Sequence, residues 1–235
     1  MSRMRTLALL LLGTSVLMSG KQEVPVSELV QRFRTSRVFW QQFEVAEKLV
    51  KSHHHAVLEQ LEPYLKDEDR HVRGNAAFVF AAFGDDRGFK VIASILRDRS
   101  DRPEGQGMPG GNWTLPTQIA SDRYYAVHLF GDLKDSRAVP ILIPLLHDSE
   151  VNSIVPWSLG QIGDKSAVQP LIETLHDASP DMRVLAIYAL EALKAKASLP
   201  QLRLLFNDED KIHFDGLGTV AEAAKKAVAE LQALP

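Results

Sequence analysis

The feature that most constrains the fold is a phrase of about eighteen residues that occurs twice. Residues 131–148 read GDLKDSRAVPILIPLLHD, and residues 160–177 read GQIGDKSAVQPLIETLHD. Both copies place a glycine four residues before an aspartate, continue with Ala-Val, and end in Leu-His-Asp. Repetition inside one chain is typical of stacked supersecondary units, so we search the remaining sequence for the same spacing of residues.

This spacing identifies five units. We call the aspartate that follows the glycine, and its counterparts in the other units, the turn position; these are His54, Asp85, Asp135, Asp164 and Ala195. Thirteen residues after each turn position there is an aspartate: Asp67, Asp98, Asp148, Asp177 and Asp208. Apolar residues recur seven and eleven places after the turn position in every unit.

Each unit is predicted to form two helices joined at the turn position. Stretches such as 72–84 and 182–193 carry small and apolar residues at helical spacing and are the predicted first helices. The second helices follow, as in 138–147, where Pro144 lies deep enough to kink the helix. The aspartates that end the units are expected to cap the next helix, because their side chains accept free amides.

Such units bury their apolar faces only by stacking. The predicted fold is therefore an all-α superhelix of about five helix pairs, over 37–67, 68–98, 118–148, 149–177 and 178–208, closed by a C-terminal capping helix at 219–234. The stretches VRGNAAFVFAAFGDDRGFKVIASILRD (72–98), GDLKDSRAVPILIPLLHD (131–148) and GDKSAVQPLIETLHD (163–177) resemble HEAT repeats of the short bacterial type called phycobilisome-lyase HEAT-like. The resemblance implies an armadillo-type solenoid that usually binds other proteins.

The N-terminal region differs from the repeats. Residues 1–20 carry two arginines and then a short apolar run, which predicts a signal peptide and a periplasmic or secreted protein. Residues 21–36 are interpreted as an N-terminal linker and 37–235 as the HEAT-like domain. No membrane span is expected after signal cleavage, since the apolar run is too short.

The repeat is interrupted between Asp85 and Asp135 by about twenty extra residues. The segment 99–118 is rich in Gly and Pro and is predicted to be a loop. Its apolar residues either pack back onto the helices or contact a partner, and both roles suit aromatic anchors. The residues predicted to bind a protein partner are Trp113, Met108 and Leu115 of the insert, with Ile141 and Pro144 beside it on the second-helix groove.

Histidines offer the only weak metal candidates. His53, His54 and His55 are consecutive, and consecutive side chains at a helix start diverge, so a solvated turn is the favoured interpretation. His147 and His176 recur one unit apart, where a polar group at a helix C-terminus suits the helix dipole. We predict no metal site and no cofactor from these residues.

The sequence carries no recognisable catalytic constellation. The formal net charge is −3 and no basic face is evident, which argues against a nucleic-acid partner. Deoxyhypusine hydroxylase, an enzymatic HEAT-like protein, implies His-Glu dipeptides, and this chain has none. We therefore expect a non-catalytic protein-interaction scaffold of the cell envelope that binds through the concave face and the 99–118 loop. The alternative is a HEAT-fold enzyme, either a metal-dependent oxidoreductase or a protein like the chromophore lyases.

Overall fold

The structure, a computed structural model, describes residues 24–100, 115–214 and 218–235. These residues form α1 (Val26–Thr35), α2 (Phe39–Lys51), α3 (Val57–Leu61), α4 (Arg70–Ala82), α5 (Asp86–Ile95), α6 (Leu115–Leu133), α7 (Val139–Leu142), α8 (Val155–Ile162), α9 (Val168–Thr174), α10 (Pro180–Ala192), α11 (Leu199–Leu204) and α12 (Val220–Ala233). Short 3-10 segments extend several second helices, notably Glu62–Lys66, Ile143–His147 and Leu205–Asn207.

The predicted all-α solenoid of helix pairs is confirmed. The first helices α2, α4, α6, α8 and α10 pack side by side in one layer, and the second helices α3, α5, α7, α9 and α11 form the other. Buried apolar residues from both layers make one continuous core. The α12 helix packs against α10 and α11 and closes the C-terminal end, as the sequence predicts.

The N-terminal linker predicted for residues 21–36 is wrong over residues 26–35. This segment forms α1, which packs against α2 and buries Leu29, Val30 and Phe33 in the core. Phe33 follows Leu29 by four residues and Val30 by three, so the three side chains lie on one face of α1. The predicted signal peptide at 1–20 lies outside the described residues and stays a prediction.

A left-handed residue ends the first helix of each unit. The residue before the turn position has a positive φ in all five units: His53 (55°), Gly84 (80°), Lys134 (54°), Gly163 (80°) and Lys194 (51°). Glycine adopts this conformation without a steric penalty, whereas other residues pay for it. Next to it, Asp85, Asp135 and Asp164 accept a hydrogen bond from the backbone two residues later and so start the second helix.

The aspartates that end the units are not the helix N-caps that the sequence predicts. Asp67 and Asp177 accept backbone N–H bonds from Asp69 and Ser179, and these two residues are the N-caps of α4 and α10. The cap is displaced by two residues because the aspartate first closes a local Asx turn.

Pro144 marks the point where α7 gives way to a 3-10 segment, so the second helix of that unit is not a continuous α-helix. The predicted loop 99–118 also ends earlier than expected, since residues 115–118 belong to α6. Within the described ranges, no helix is both long and apolar enough to span a membrane.

Candidate functional site

An aromatic strip crosses the first-helix layer. We define it as Phe39 and Phe43 of α2, His71 and Phe78 of α4, Tyr125 and His128 of α6, and Trp157 of α8. Phe39 stacks on His71 with ring centroids 4.3 Å apart, and Phe43 meets Phe78 edge-on at 4.9 Å. The His128 and Trp157 rings are 4.6 Å apart. Five of the seven side chains are partly exposed, so the strip offers an open aromatic surface.

Part of the strip follows directly from the repeat. The place seven residues before the turn position holds Glu47, Phe78, His128, Trp157 and Tyr188 in successive units. Stacking brings equivalent places of neighbouring first helices side by side. The strip is not evident from the sequence, because the repeat is recognised by positions that hold the same residue type in each unit. This position holds a different residue type in every unit.

Polar groups beneath the strip form a buried hydrogen-bond chain. Asn75 Nδ2 donates to Gln42 Oε1 at 2.9 Å, and the Tyr125 hydroxyl donates to Asn75 Oδ1. Burial raises the pKa of the Tyr125 phenol well above its ordinary value, and the charge of Asp132 raises it further. The phenol therefore stays neutral at physiological pH and acts as a hydrogen-bond donor.

A buried ion cluster adjoins the Phe39 end of the strip. Arg70 donates to Asp122 Oδ2 at 3.1 Å and to Asp98 Oδ1 at 3.0 Å, and the Arg70 and Asp122 side chains are almost fully buried. The hydrogen bond from Arg70 holds the pKa of the Asp98 carboxyl well below its usual range. His71 Nδ1 lies 3.5 Å from Asp122 Oδ1, which positions the imidazole that stacks on Phe39.

The centre of the strip contains a histidine–carboxylate pair. His128 and Asp132 lie one helical turn apart on α6, with Nδ1 and Oδ2 2.9 Å apart. Gly131, the first residue of the repeated phrase, lets Trp157 approach, since a Cβ there would lie 2.7 Å from Trp157 Cζ3. The spacing of four between His128 and Asp132, within the predicted first helix of that unit, is the sequence signal for this pair.

The second-helix layer carries a separate cleft of about 620 Å³. Arg87 lies in its wall and bonds to Glu62 at 2.8 Å and to Asp85 at 2.7 Å. The volume falls in the range of small-molecule sites. The cleft is lined by Glu59, Glu62, Pro63, Leu65, Lys66, Arg87, Lys90 and Val91.

The residues predicted to bind a partner do not form one described cluster. Met108 and Trp113 lie outside the described residues. Leu115 is the half-buried first residue of α6, whereas Ile141 is half-buried and Pro144 exposed on the second-helix layer. Their role in partner binding stays a prediction.

His53, His54 and His55 lie exposed in the turn after α2. His53 takes the left-handed position, and His54 Nδ1 lies 2.6 Å from the Ser52 carbonyl oxygen, so both have local structural roles. Within the described ranges, no three histidine or acidic side chains are grouped so that they could hold a metal ion.

Family comparison agrees with this architecture. Residues 120–183 and 148–212 each match the family model described as HEAT repeats, and together the two matches run from α6 to α11. This part of the chain consists of HEAT repeats. A crystal structure of an engineered protein aligns with this chain at a TM-score of 0.46 and 18% identity, covering 88% of this chain and 96% of that one.

Three curated relatives have names that refer to bilins. The bilin biosynthesis protein PecE of Mastigocladus laminosus is 28% identical over 63% of this chain and 52% of its own length. PecE of Nostoc sp. is 31% identical over 59% of this chain and 51% of its own length. The phycocyanobilin lyase subunit alpha of Picosynechococcus sp. is 31% identical over 51% of this chain and 57% of its own length. The matched region thus spans about half the length of each relative.

These relatives correct two predictions. The expectation of a non-catalytic cell-envelope scaffold is contradicted, and so is the expectation that the chain is not an enzyme, because the relatives are named for bilin biosynthesis and lyase activity. Short linear motifs do not reveal such a function in a repeat protein. A surface assembled from equivalent places on several repeats leaves no such motif.

Proposed function

We propose that this HEAT-repeat protein acts on a bilin, holding it on the aromatic strip and taking part in joining it to another protein. One observation carries the proposal: a chain related to bilin proteins has seven aromatic or imidazole rings in contact across four neighbouring first helices. This proposal corresponds to the chromophore-lyase alternative indicated by the sequence. No observation favours the metal-dependent oxidoreductase half.

The chemistry of the strip suits a linear tetrapyrrole. Such a molecule has a long, flat, conjugated surface, and each favourable ring contact contributes about 0.5–1.5 kcal/mol beyond the burial of area. Phe43, Tyr125 and Trp157 are half-buried, so each has ring surface available for stacking. The neutral Tyr125 phenol and the His128 imidazole add polar edges beside the aromatic faces, which suits the pyrrole nitrogens and carbonyl groups of a bilin.

The protein partner is proposed to be the acceptor of the bilin. This chain has no cysteine, so it offers no thiol of its own for a covalent link to the chromophore. The acceptor thiol therefore lies on another chain, and a phycobiliprotein is the partner that the relatives suggest. This partner replaces the envelope client expected from the sequence.

The experiment is a binding titration with phycocyanobilin, followed by visible absorbance and induced circular dichroism. We expect saturable binding to the wild-type protein. Replacing Phe43 and Trp157 together by alanine should weaken binding at least tenfold, because two stacking surfaces are lost. Phe206→Ala is the matched control, since it removes a half-buried aromatic ring from the second-helix layer.

Two results would count against the proposal. Absence of saturable binding by the wild-type protein would remove its basis. Equal loss of affinity in the Phe206→Ala control would show that the strip variants act through general destabilisation, and circular dichroism in the far ultraviolet provides the check on folding.

A further inference from the structure

The His128–Asp132 pair brings a buried imidazole nitrogen close to a buried carboxylate oxygen. Nδ1 of His128 lies 2.9 Å from Oδ2 of Asp132; both atoms are shielded from solvent, and neither makes a well-aligned hydrogen bond to any group. A lone pair on Nδ1 would face the negative carboxylate at this distance, so the charge of Asp132 favours the imidazole proton on Nδ1. Nε2 then carries the free electron pair. About a third of the His128 side chain is exposed, and since Nδ1 is buried, that exposure belongs to the rest of the side chain.

The surroundings place this pair inside the surface proposed to hold the bilin. The Trp157 ring centroid is 4.6 Å from that of His128, and the Phe43 and Tyr125 centroids are each 6.4 Å away. The Tyr125 hydroxyl donates to Asn75, so it does not compete for the carboxylate of Asp132. A ligand stacked on these rings would lie beside the imidazole.

We propose that His128 is the proton acceptor in the joining reaction and that Asp132 positions it. This inference rests on the proposed function. A lyase adds a group across a double bond or removes it, and adding a thiol requires that its proton be moved. A thiolate is a far better nucleophile than a thiol, so a base within reach of the bilin has a defined task.

The step balances without any further reactant. The S–H proton of the acceptor cysteine passes to Nε2 of His128 while a sulfur electron pair forms a C–S bond to one carbon of a bilin double bond. The π electron pair moves onto the neighbouring carbon, which takes the proton back from the imidazolium. One S–H and one C=C bond are replaced by one C–S and one C–H bond, and His128 ends neutral.

The other histidines of the described ranges fit this task less well. His71 is buried and lies within 3.7 Å of both Asp69 and Asp122. His147 and His176 are exposed at the ends of second helices, in the other layer. His213 is also paired, with Asp181, but it lies in the segment before α12 and has no contact with the strip.

The test measures the rate at which phycocyanobilin is joined to an apo-phycobiliprotein subunit that carries the acceptor cysteine. Loss of one double bond from conjugation shifts the absorption to shorter wavelength, which gives the readout. His128→Ala should slow the reaction about 100-fold or more, in line with general base catalysis. Added imidazole should restore a large part of the rate, because it can occupy the vacated space. His176→Ala is the matched control and should react at the wild-type rate.

Asp132→Asn tests the positioning role. The asparagine side chain can donate a hydrogen bond to Nδ1, which places the imidazole proton on Nε2 and removes the base. We expect a rate loss of about tenfold or more. The ¹⁵N spectrum of the histidines should show the Nδ1-protonated form of His128 in the wild type and its loss in Asp132→Asn.

The outcomes separate this inference from the proposed function. A wild-type protein that neither binds nor joins the bilin defeats the proposed function. A His128→Ala protein that joins the bilin at the wild-type rate, or a slow one that imidazole does not restore, overturns only the role of His128. An Nε2-protonated wild-type imidazole would overturn it as well.

Discussion

Arg73 of α4 donates a hydrogen bond to Asp98, 25 residues later, at 2.8 Å. The same pairing recurs between Arg123 and Asp148 at 2.5 Å and between Arg183 and Asp208 at 3.0 Å. In each case an arginine of the first helix reaches the aspartate that ends the same unit. In three of the five units the repeated aspartate therefore forms an ion pair that joins the two ends of the unit.

Arg123→Met should lower the free energy of unfolding by about 3 kcal/mol, because it removes a buried cation and leaves the carboxylates paired with it uncompensated. Arg123 is almost fully buried and pairs with both Asp148 and Glu150. Urea denaturation measures the change. Arg203→Met, at an exposed position of α11, should stay within about 0.5 kcal/mol of the wild type, and an equal loss there would contradict the account.

Stability should fall with pH below about 4, where carboxylates titrate in an unfolded chain. Hydrogen bonds from Arg70 and Arg123 lower the pKa of Asp98 and Asp148 in the folded state. A lowered pKa contributes stability above the unfolded value, and this contribution is lost as the pH falls through the folded value. Melting temperatures measured from pH 7 to pH 2 should show the fall, and it should be shallower in the Asp98→Asn, Asp148→Asn double variant. An unchanged slope in that variant would contradict the pairing.

Lys134→Gly should stabilise the protein, because Lys134 has a φ of 54° that glycine adopts without a steric penalty. The expected gain is up to about 1 kcal/mol, or a rise of about 2–4 °C in melting temperature. Lys134→Ala is the control and should give no gain. Lys225→Gly, at an exposed place inside α12, should instead cost about 1 kcal/mol. Stabilisation by alanine as well as by glycine would argue against a backbone effect.

Gly131→Ala should disturb the packing of Trp157 on α6. A Cβ at this place would lie 2.7 Å from Trp157 Cζ3 and 3.0 Å from the Ser158 backbone, and such crowding costs about 1–3 kcal/mol. Tryptophan fluorescence of a protein that keeps only Trp157 should shift to the red as the ring becomes more exposed. Gly160→Ala, where the nearest atom would be the Ala192 Cβ at 3.3 Å, should have a smaller effect. Equal shifts in the two variants would contradict the packing argument.

The repeat made most of the fold predictable. Its phase located the helix pairs and the place of Pro144, because stacking requires apolar residues at fixed places, and the capping helix followed from its own alanine-rich face. The phase did not reveal α1, which precedes the first unit and follows no repeated spacing. It also could not distinguish an N-cap from an Asx turn at Asp67 and Asp177, since an aspartate suits both.

The site was less predictable than the fold. His128, Trp157 and Phe78 share one repeat place, but their side chains differ in size and polarity, so no motif connects them. Phe39 and Phe43 contact Tyr125 across a gap of more than eighty residues, which only the stacking of α2, α4 and α6 brings together. Residue type pointed instead to the three consecutive histidines, whose positions the backbone explains.

The most direct test of the central claim is a crystal structure of the protein with phycocyanobilin bound. We expect the tetrapyrrole to lie along the first-helix layer, in contact with Phe43, Tyr125 and Trp157 and beside His128. Bilin density in the cleft between the second helices, against Leu65 and Val91, would contradict the account and would place the site on the opposite layer.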